Sequence, residues 1–117
     1  FYVNDNYKEV NVEAQEADKN SILHFYRSAI KLRKELSCVR YGTYKEYNKC
    51  SSKVYVYTRE DEKQKLLVVC SYSESKEKFK TPKGFDINNA ELIVQNYSEA
   101  DVNTLKPYET RVYLWNK

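Results

Sequence analysis

The pattern of apolar positions divides the chain at about residue 37. Between Asp18 and Leu36, placed at 100° per residue, Ile22, Leu23, Phe25, Tyr26, Ala29, Ile30, Leu32 and Leu36 fall on one side of a helical wheel. His24, Arg27, Ser28, Lys31, Lys34 and Glu35 fall on the other. The spacing predicts one long amphipathic α-helix, with Asp18 as N-cap and Lys31, Arg33 and Lys34 at the negative end of its dipole. Its apolar arc is about 180° wide, against the ~100° stripe that docks a helix on one neighbour, so the helix wants more than one surface to bury against. Arg33 projects near the middle of that arc, either as a snorkelling stem or as half of a buried ion pair.

After Leu36 the period changes to two and stays there. Tyr41 to Tyr47, Lys53 to Arg59, Lys65 to Tyr72, Glu77 to Lys80, Glu91 to Tyr97 and Glu109 to Trp115 read as strands, separated by polar or turn-forming segments that include Ser98 to Pro107. Connections this short make the strands mainly antiparallel, since a parallel neighbour needs a crossover of about a dozen residues. The expected fold is mainly β: an antiparallel, Greek-key-like β-sandwich preceded by one long helix. Lys65 to Tyr72 is apolar on both faces and should be the most central strand. Upstream, Asn4 to Tyr7 is a cluster of turn formers, and Asn11 caps a short helical stretch from Val12 to Glu16. The abrupt Phe1-Tyr2-Val3 start suggests a chain cut from something longer.

Composition narrows the function classes. The 117 residues include twelve Tyr and four Phe but two Gly, two Pro and no Met, which suits strands packed through large amphipathic rings. Cys38, Cys50 and Cys70 are odd in number, lack C-x-x-C spacing and accompany a single His, so they point to buried or half-buried thiols in a reducing, cytoplasmic setting rather than to disulfides or zinc. No apolar run reaches membrane-spanning length. The net charge of +3 is small and interrupted by Glu60, Asp61 and Glu62, a poor footprint for nucleic acid.

Chemistry is sparse. His24, on the polar side of the helix, has no nucleophile context around it. Gly42 and Gly84 stand too far apart for a phosphate loop. The carboxylates lie mostly in turns and helix ends. Tyr44, Tyr47, Tyr55, Tyr57, Tyr72 and Tyr113 could stack on sugars or bases, although on alternating strands such rings more often pack the sheet.

Val3-Asn4-Asp5-Asn6-Tyr7-Lys8-Glu9-Val10-Asn11-Val12-Glu13 resembles the V-N-P-N-Y-K-E-I-N-V-E segment of bacterial α-glucosidases of glycoside hydrolase family 13, the oligo-1,6-glucosidases and their relatives. Asn20 to Arg27, Leu32 to Glu35, Tyr41 to Tyr44 and Leu105 to Tyr113 resemble that family's N-S-I-F-H-Y-Y-R, L-R-K-E, Y-G-T-Y and L-x-P-Y-E-A-R-V-Y in the same order. Asp5 replaces the family's Pro, and Asp18-Lys19 its D-P helix start. The resemblance implies that residues 1–37 are a loop and the last helix of a catalytic barrel, and that 38–117 are the C-terminal β-sandwich. It would place Asn4 and Asn6 near the barrel rim where such enzymes bind substrate, although a structural turn explains them better.

The family's nucleophile, acid/base and stabilising carboxylates belong to upstream motifs that nothing here matches. No catalytic, substrate-binding or metal-ligating residue is therefore assigned, and no cofactor is implied. The expected partner is the absent catalytic barrel, with an α-glucosidic oligosaccharide as the parent's substrate, neither nucleic acid nor membrane, and the bare helix face free for another copy. A carbohydrate-binding module and a nucleic-acid-binding sandwich are the rival classes.

Overall fold

The computed structural model describes residues 2–117, so Phe1 of the apolar Phe1-Tyr2-Val3 start lies outside the described residues. The chain forms two compact units, Phe1–Leu36 and Ser37–Lys117. In the first, a 3-10 turn (Asp5–Lys8) follows Asn4, whose side chain accepts from the Asn6 amide. Helix α1 (Val12–Ala17) starts at Asn11, whose side-chain oxygen accepts from Ala14 N at 2.8 Å, the cap expected from sequence.

Helix α2 (Ile22–Glu35) begins later than expected. Its N-cap is Ser21, whose hydroxyl accepts from His24 N, and not Asp18. Asp18 instead closes α1, its own N–H donating to Ala14 O at 3.2 Å, and its carboxylate accepts from Asn20 N at 2.9 Å. An aspartate three residues ahead of a serine can bond its own turn and leave the cap to the hydroxyl. The two helices are fastened by the Ser21 hydroxyl donating to Gln15 O at 2.7 Å and by a two-pronged Arg27–Glu16 pair. Arg33 is exposed, which is the snorkelling arrangement and not a buried pair.

The second unit opens on an element that the period-two pattern hid, the short helix α3 (Ser37–Tyr41), which displaces the first strand to Thr43. Cys38 is fully buried, and Arg59 donates to the Cys38 and Val39 carbonyls at 3.2 and 2.9 Å, satisfying a helix-end acceptor at Val39 and adding a second donor to the Cys38 carbonyl, which also accepts from Gly42 N at 3.0 Å. Gly42 makes the turn out of α3. A Cβ there would collide with the Cys38 carbonyl oxygen and stand 2.9 Å from the Glu60 carbonyl oxygen, both backbone. Gly42→Ala is therefore expected to destabilise the chain by about 1–3 kcal/mol, as overpacking against atoms that cannot rotate away does. A lowered midpoint in urea denaturation is the check; an unchanged midpoint would show that the turn out of α3 yields freely.

Five antiparallel strands form the main sheet in the order β1-β2-β3-β7-β5. They are β1 (Thr43–Tyr47), β2 (Val54–Glu60), β3 (Gln64–Ser71), β5 (Glu91–Gln95) and β7 (Thr110–Asn116). The strand apolar on both faces, β3, is the central one, and its neighbours alternate as expected: Val54, Val56 and Thr58 are buried while Tyr55, Tyr57 and Arg59 are half-buried. A second layer pairs β4 (Glu77–Lys78) with β6 (Thr104–Leu105), making an antiparallel sandwich. β6 lies within the stretch read as a loop, because two paired residues are too few for a period to show. Leu105 from β6, with Phe79 and Phe85, nevertheless closes the core over Val54, Val56, Leu67, Val69, Tyr113 and Trp115. Each such side chain stabilises by roughly 1.5–3 kcal/mol when fully buried.

Candidate functional site

The α1–α2 unit has almost no interior. No residue within α1 or α2 is buried, and Ser21 and Leu36 are the buried side chains among the described residues up to 36. Ile22, Phe25, Tyr26 and Ile30 remain 71%, 49%, 63% and 51% exposed. Their spacing of three, four and eight residues from Ile22 makes one continuous apolar ridge. Four large apolar groups in a row are uncommon on a finished surface and mark a contact face. The wide arc legible in the sequence is thus the arc the structure leaves bare.

Ser21 and His24 come together in a way that invites a catalytic reading. His24 Nδ1 lies 3.0 Å from Ser21 Oγ. Both groups are already committed, however. The serine hydroxyl donates to Gln15 O and accepts from the His24 amide, and His24 Nδ1 is also 3.1 Å from Gln15 O. A carbonyl holds the imidazole where a triad would place a carboxylate. The pair is a helix cap.

The buried carboxylate in the chain escaped sequence reasoning. Glu109 and Arg111 are both fully buried, joined by Arg111 Nε to Glu109 Oε1 at 2.8 Å and Nη2 to Oε2 at 3.0 Å. Lys106 N donates to Glu109 Oε2 at 2.7 Å, while Arg111 reaches the Thr104 carbonyl at 2.7 Å and also the Asp101 carbonyl. The fork ties the 98–107 connection onto β7 and holds Tyr108 in the left-handed region at φ 53°, a conformation that costs a non-glycine residue about 1 kcal/mol or more. The E-x-R spacing on one strand face was the available signal, although alternation alone would sooner place such charges in water.

Burial raises the Glu109 pKa, but the Arg111 bonds and the Lys106 amide outweigh it, leaving the carboxyl below its ordinary value. A folded-state pKa lower than the unfolded one contributes stability that is complete above about pH 4.3 and is lost as pH falls through the lowered folded value. Urea midpoints should accordingly be flat from pH 7 to 5 and fall below about pH 4. A midpoint already falling between pH 7 and 5 would contradict this assignment.

The six tyrosines do not make one platform. Tyr47 and Tyr113 lie on the core side of the sheet. Tyr44, Tyr55 and Tyr57 cluster on the opposite face, with ring centroids 5.5 Å (Tyr44–Tyr57) and 5.3 Å (Tyr55–Tyr57) apart, and Tyr72 is exposed beyond β3. The Tyr44 and Tyr55 hydroxyls are 2.6 Å apart, and that bond raises the Tyr44 pKa. This is cross-strand packing. Asn4 and Asn6 are exposed and shape the first turn. All three cysteines are free thiols, with Cys38 buried and Cys70 half-buried as expected, whereas Cys50 is exposed because it lies in the turn between β1 and β2 and not on a strand face. Among the described residues no three metal-ligating side chains converge, and no helix is long and apolar enough to cross a membrane.

Comparison with known proteins gives this arrangement a family. The model of the alpha-amylase catalytic domain matches residues 1–42. An oligo-1,6-glucosidase of Parageobacillus thermoglucosidasius is 37% identical over 116 residues, which are 95% of this chain and 21% of the relative. A trehalose-6-phosphate hydrolase of Bacillus subtilis is 34% identical over 96% of this chain and 21% of its own length. The crystal structure of the Bacillus licheniformis trehalose-6-phosphate hydrolase matches 98% of this chain and 22% of that one, with a TM-score of 0.86 and 31% identity. The chain spans about a fifth of the length of the curated relatives it matches. Aligned almost end to end with one stretch of these enzymes, and folded like the same stretch in a solved one, the chain belongs to glycoside hydrolase family 13 as a segment of the oligo-1,6-glucosidase-like kind.

Proposed function

We propose that this chain is the non-catalytic C-terminal part of a retaining α-glucosidase, in which residues 1–37 complete a barrel and residues 38–117 cap it. The observation that carries the reading is the coreless first unit, with its ridge of Ile22, Phe25, Tyr26 and Ile30 open to solvent. A helix pair with no interior must bury its apolar face on something, and a barrel flank is the partner that a matching catalytic-domain family supplies. The parent would cleave α-1,6- or related α-glucosidic bonds of short oligosaccharides through a covalent glucosyl intermediate, using two carboxylates about 5 Å apart. The buried carboxylate here, Glu109, is neutralised by Arg111 and faces no cleft, so this chain stabilises the enzyme and leaves the bond-breaking to the barrel. Three unbridged thiols suit a cytoplasmic enzyme. Trehalose 6-phosphate is the second substrate class, favoured by the hydrolases of that name among the relatives.

The test is to assay the 117-residue chain on isomaltose and trehalose 6-phosphate, alone and after co-expression with the barrel from its own reading frame. No turnover alone and turnover on co-expression are expected, and the preferred substrate then names the parent. Turnover by the isolated chain would overturn the reading. Calorimetric titration with maltose, isomaltose and dextran separates the rival carbohydrate-binding module, since a capping domain gives no heat.

A further inference from the structure

The sandwich is incompletely closed at its β1 edge. β4 pairs for two residues only, Glu77 with Leu105 and Lys78 with Thr104, and the chain then leaves the small sheet. The gap is a recess of about 460 Å³ bounded by Tyr47, Asn48, Val56, Phe79 and Pro82, with Lys78, Lys80 and Thr81 contributed by the departing strand. Its volume lies within the ~300–1,000 Å³ of small-ligand sites. Val56 and Phe79 belong to the core, and the half-buried Tyr47 ring packs against it, so the floor is apolar and fixed.

The charge here is one-sided. Glu77 is the carboxylate between Lys76 and Lys83, and it is already engaged by Lys53 at 3.3 Å and by the Ser73 hydroxyl at 2.8 Å. Among the described residues neither the Lys78 nor the Lys80 ammonium has an ion-pair or hydrogen-bond partner. The Lys45 ammonium stands 5.2 Å from the centroid of the Tyr47 ring, adding positive charge beside the recess. The Asn48 side-chain amide is fixed by donating to Val54 O at 3.2 Å, which leaves its carbonyl oxygen as an acceptor.

We propose that this recess binds a hexose phosphate, with its phosphate monoester held by Lys78 and Lys80 and its ring lying on Tyr47 and Pro82. Two unpaired ammonium groups match the ≈ −1.5 to −2 charge of a phosphate monoester, and charge-assisted bonds to its oxygens are the strong kind. The Thr81 hydroxyl and the Asn48 carbonyl oxygen suit sugar hydroxyls, and the tyrosine and proline faces suit the C–H face of a pyranose. The site is independent of barrel chemistry and stands whether or not the proposed parent activity does.

The test is titration of the 117-residue chain with glucose 6-phosphate, glucose, inorganic phosphate and adenosine monophosphate, followed by calorimetry and by amide NMR shifts. Saturable one-site binding of glucose 6-phosphate is expected, with shifts centred on Tyr47 and residues 78–82. Glucose, inorganic phosphate and the nucleotide should each bind at least about ten-fold more weakly, because glucose lacks the charge, phosphate lacks the ring, and the nucleotide carries a furanose and a base in place of the pyranose the recess matches. Lys78→Ala/Lys80→Ala should weaken glucose 6-phosphate by at least ten-fold and Lys78→Glu/Lys80→Glu should abolish it, while the Lys63→Ala control leaves it unchanged. All three positions are exposed, so retained circular dichroism is the folding check. Absence of binding, equal binding of phosphate or nucleotide, or indifference to the lysine pair would each overturn the proposal.

Discussion

Arg111→Met is expected to destabilise the chain by about 3–5 kcal/mol, the range for removing one partner of a buried ion pair. The arginine side chain is fully buried and serves five acceptors: both Glu109 oxygens, the Thr104 and Asp101 carbonyls, and the Tyr113 hydroxyl. Methionine fills most of the volume but satisfies none of them. Glu109 would keep the Lys106 amide and lose its counter-charge, with no water to replace it. At roughly 4 °C or more per kcal/mol for a unit of this size, the thermal midpoint should fall by more than about 10 °C. Arg111→Lys should recover only part of this, because an ammonium cannot make the fork. The double variant Glu109→Leu/Arg111→Met should be more stable than Arg111→Met alone, since it removes the stranded carboxylate together with its partner. Equal stability of the single and double variants would mean that the pair is not what holds the 98–107 connection in place.

The sequence carries most of this fold because its dominant elements are long enough to have a period. Eight residues of β3 show their two apolar faces, and fourteen of α2 show theirs. Elements that turn on tertiary contacts stay hidden. α3 is five residues whose carbonyls are satisfied from β2 by Arg59, twenty residues away, and β6 is two residues that matter because Leu105 seals the core. The displaced N-cap shows a subtler limit. Asp18 and Ser21 are both good caps by residue type, and the choice between them rests on Ser21 also reaching Gln15 across the α1–α2 turn. As for the site, the wide arc of α2 was legible as a surplus of apolar surface. Glu109–Arg111 and the recess beside Tyr47 were not, since both depend on which strands meet, and charges three-dimensionally buried read as ordinary surface charges in a strand of alternating residues.

On the proposed reading, the surplus on α2 should be worth much of the affinity between this chain and the barrel it would complete. Complete burial of an aliphatic or aromatic side chain from full exposure yields roughly 1.5–3 kcal/mol, and Ile22, Phe25, Tyr26 and Ile30 have half or more of that still to gain. Together they represent about 3–6 kcal/mol. Phe25→Glu with Ile30→Lys removes two of the four and adds charges that a closed interface would have to desolvate, so association should weaken by about 100-fold or more. Both positions are about half exposed, which predicts a nearly unchanged melting curve for the chain itself. The expected pattern is therefore selective: a folded chain that no longer restores turnover to its barrel. Without the barrel the same ridge is open to a second copy, and sedimentation should show wild-type chain self-associating as concentration rises while the double variant stays monomeric. Lys31→Ala, on the polar side of the helix, should match wild type in both assays. If the double variant restored turnover as well as wild type does, the ridge would face solvent in the assembled enzyme, and the missing interior of the first unit would have to be supplied from some other side.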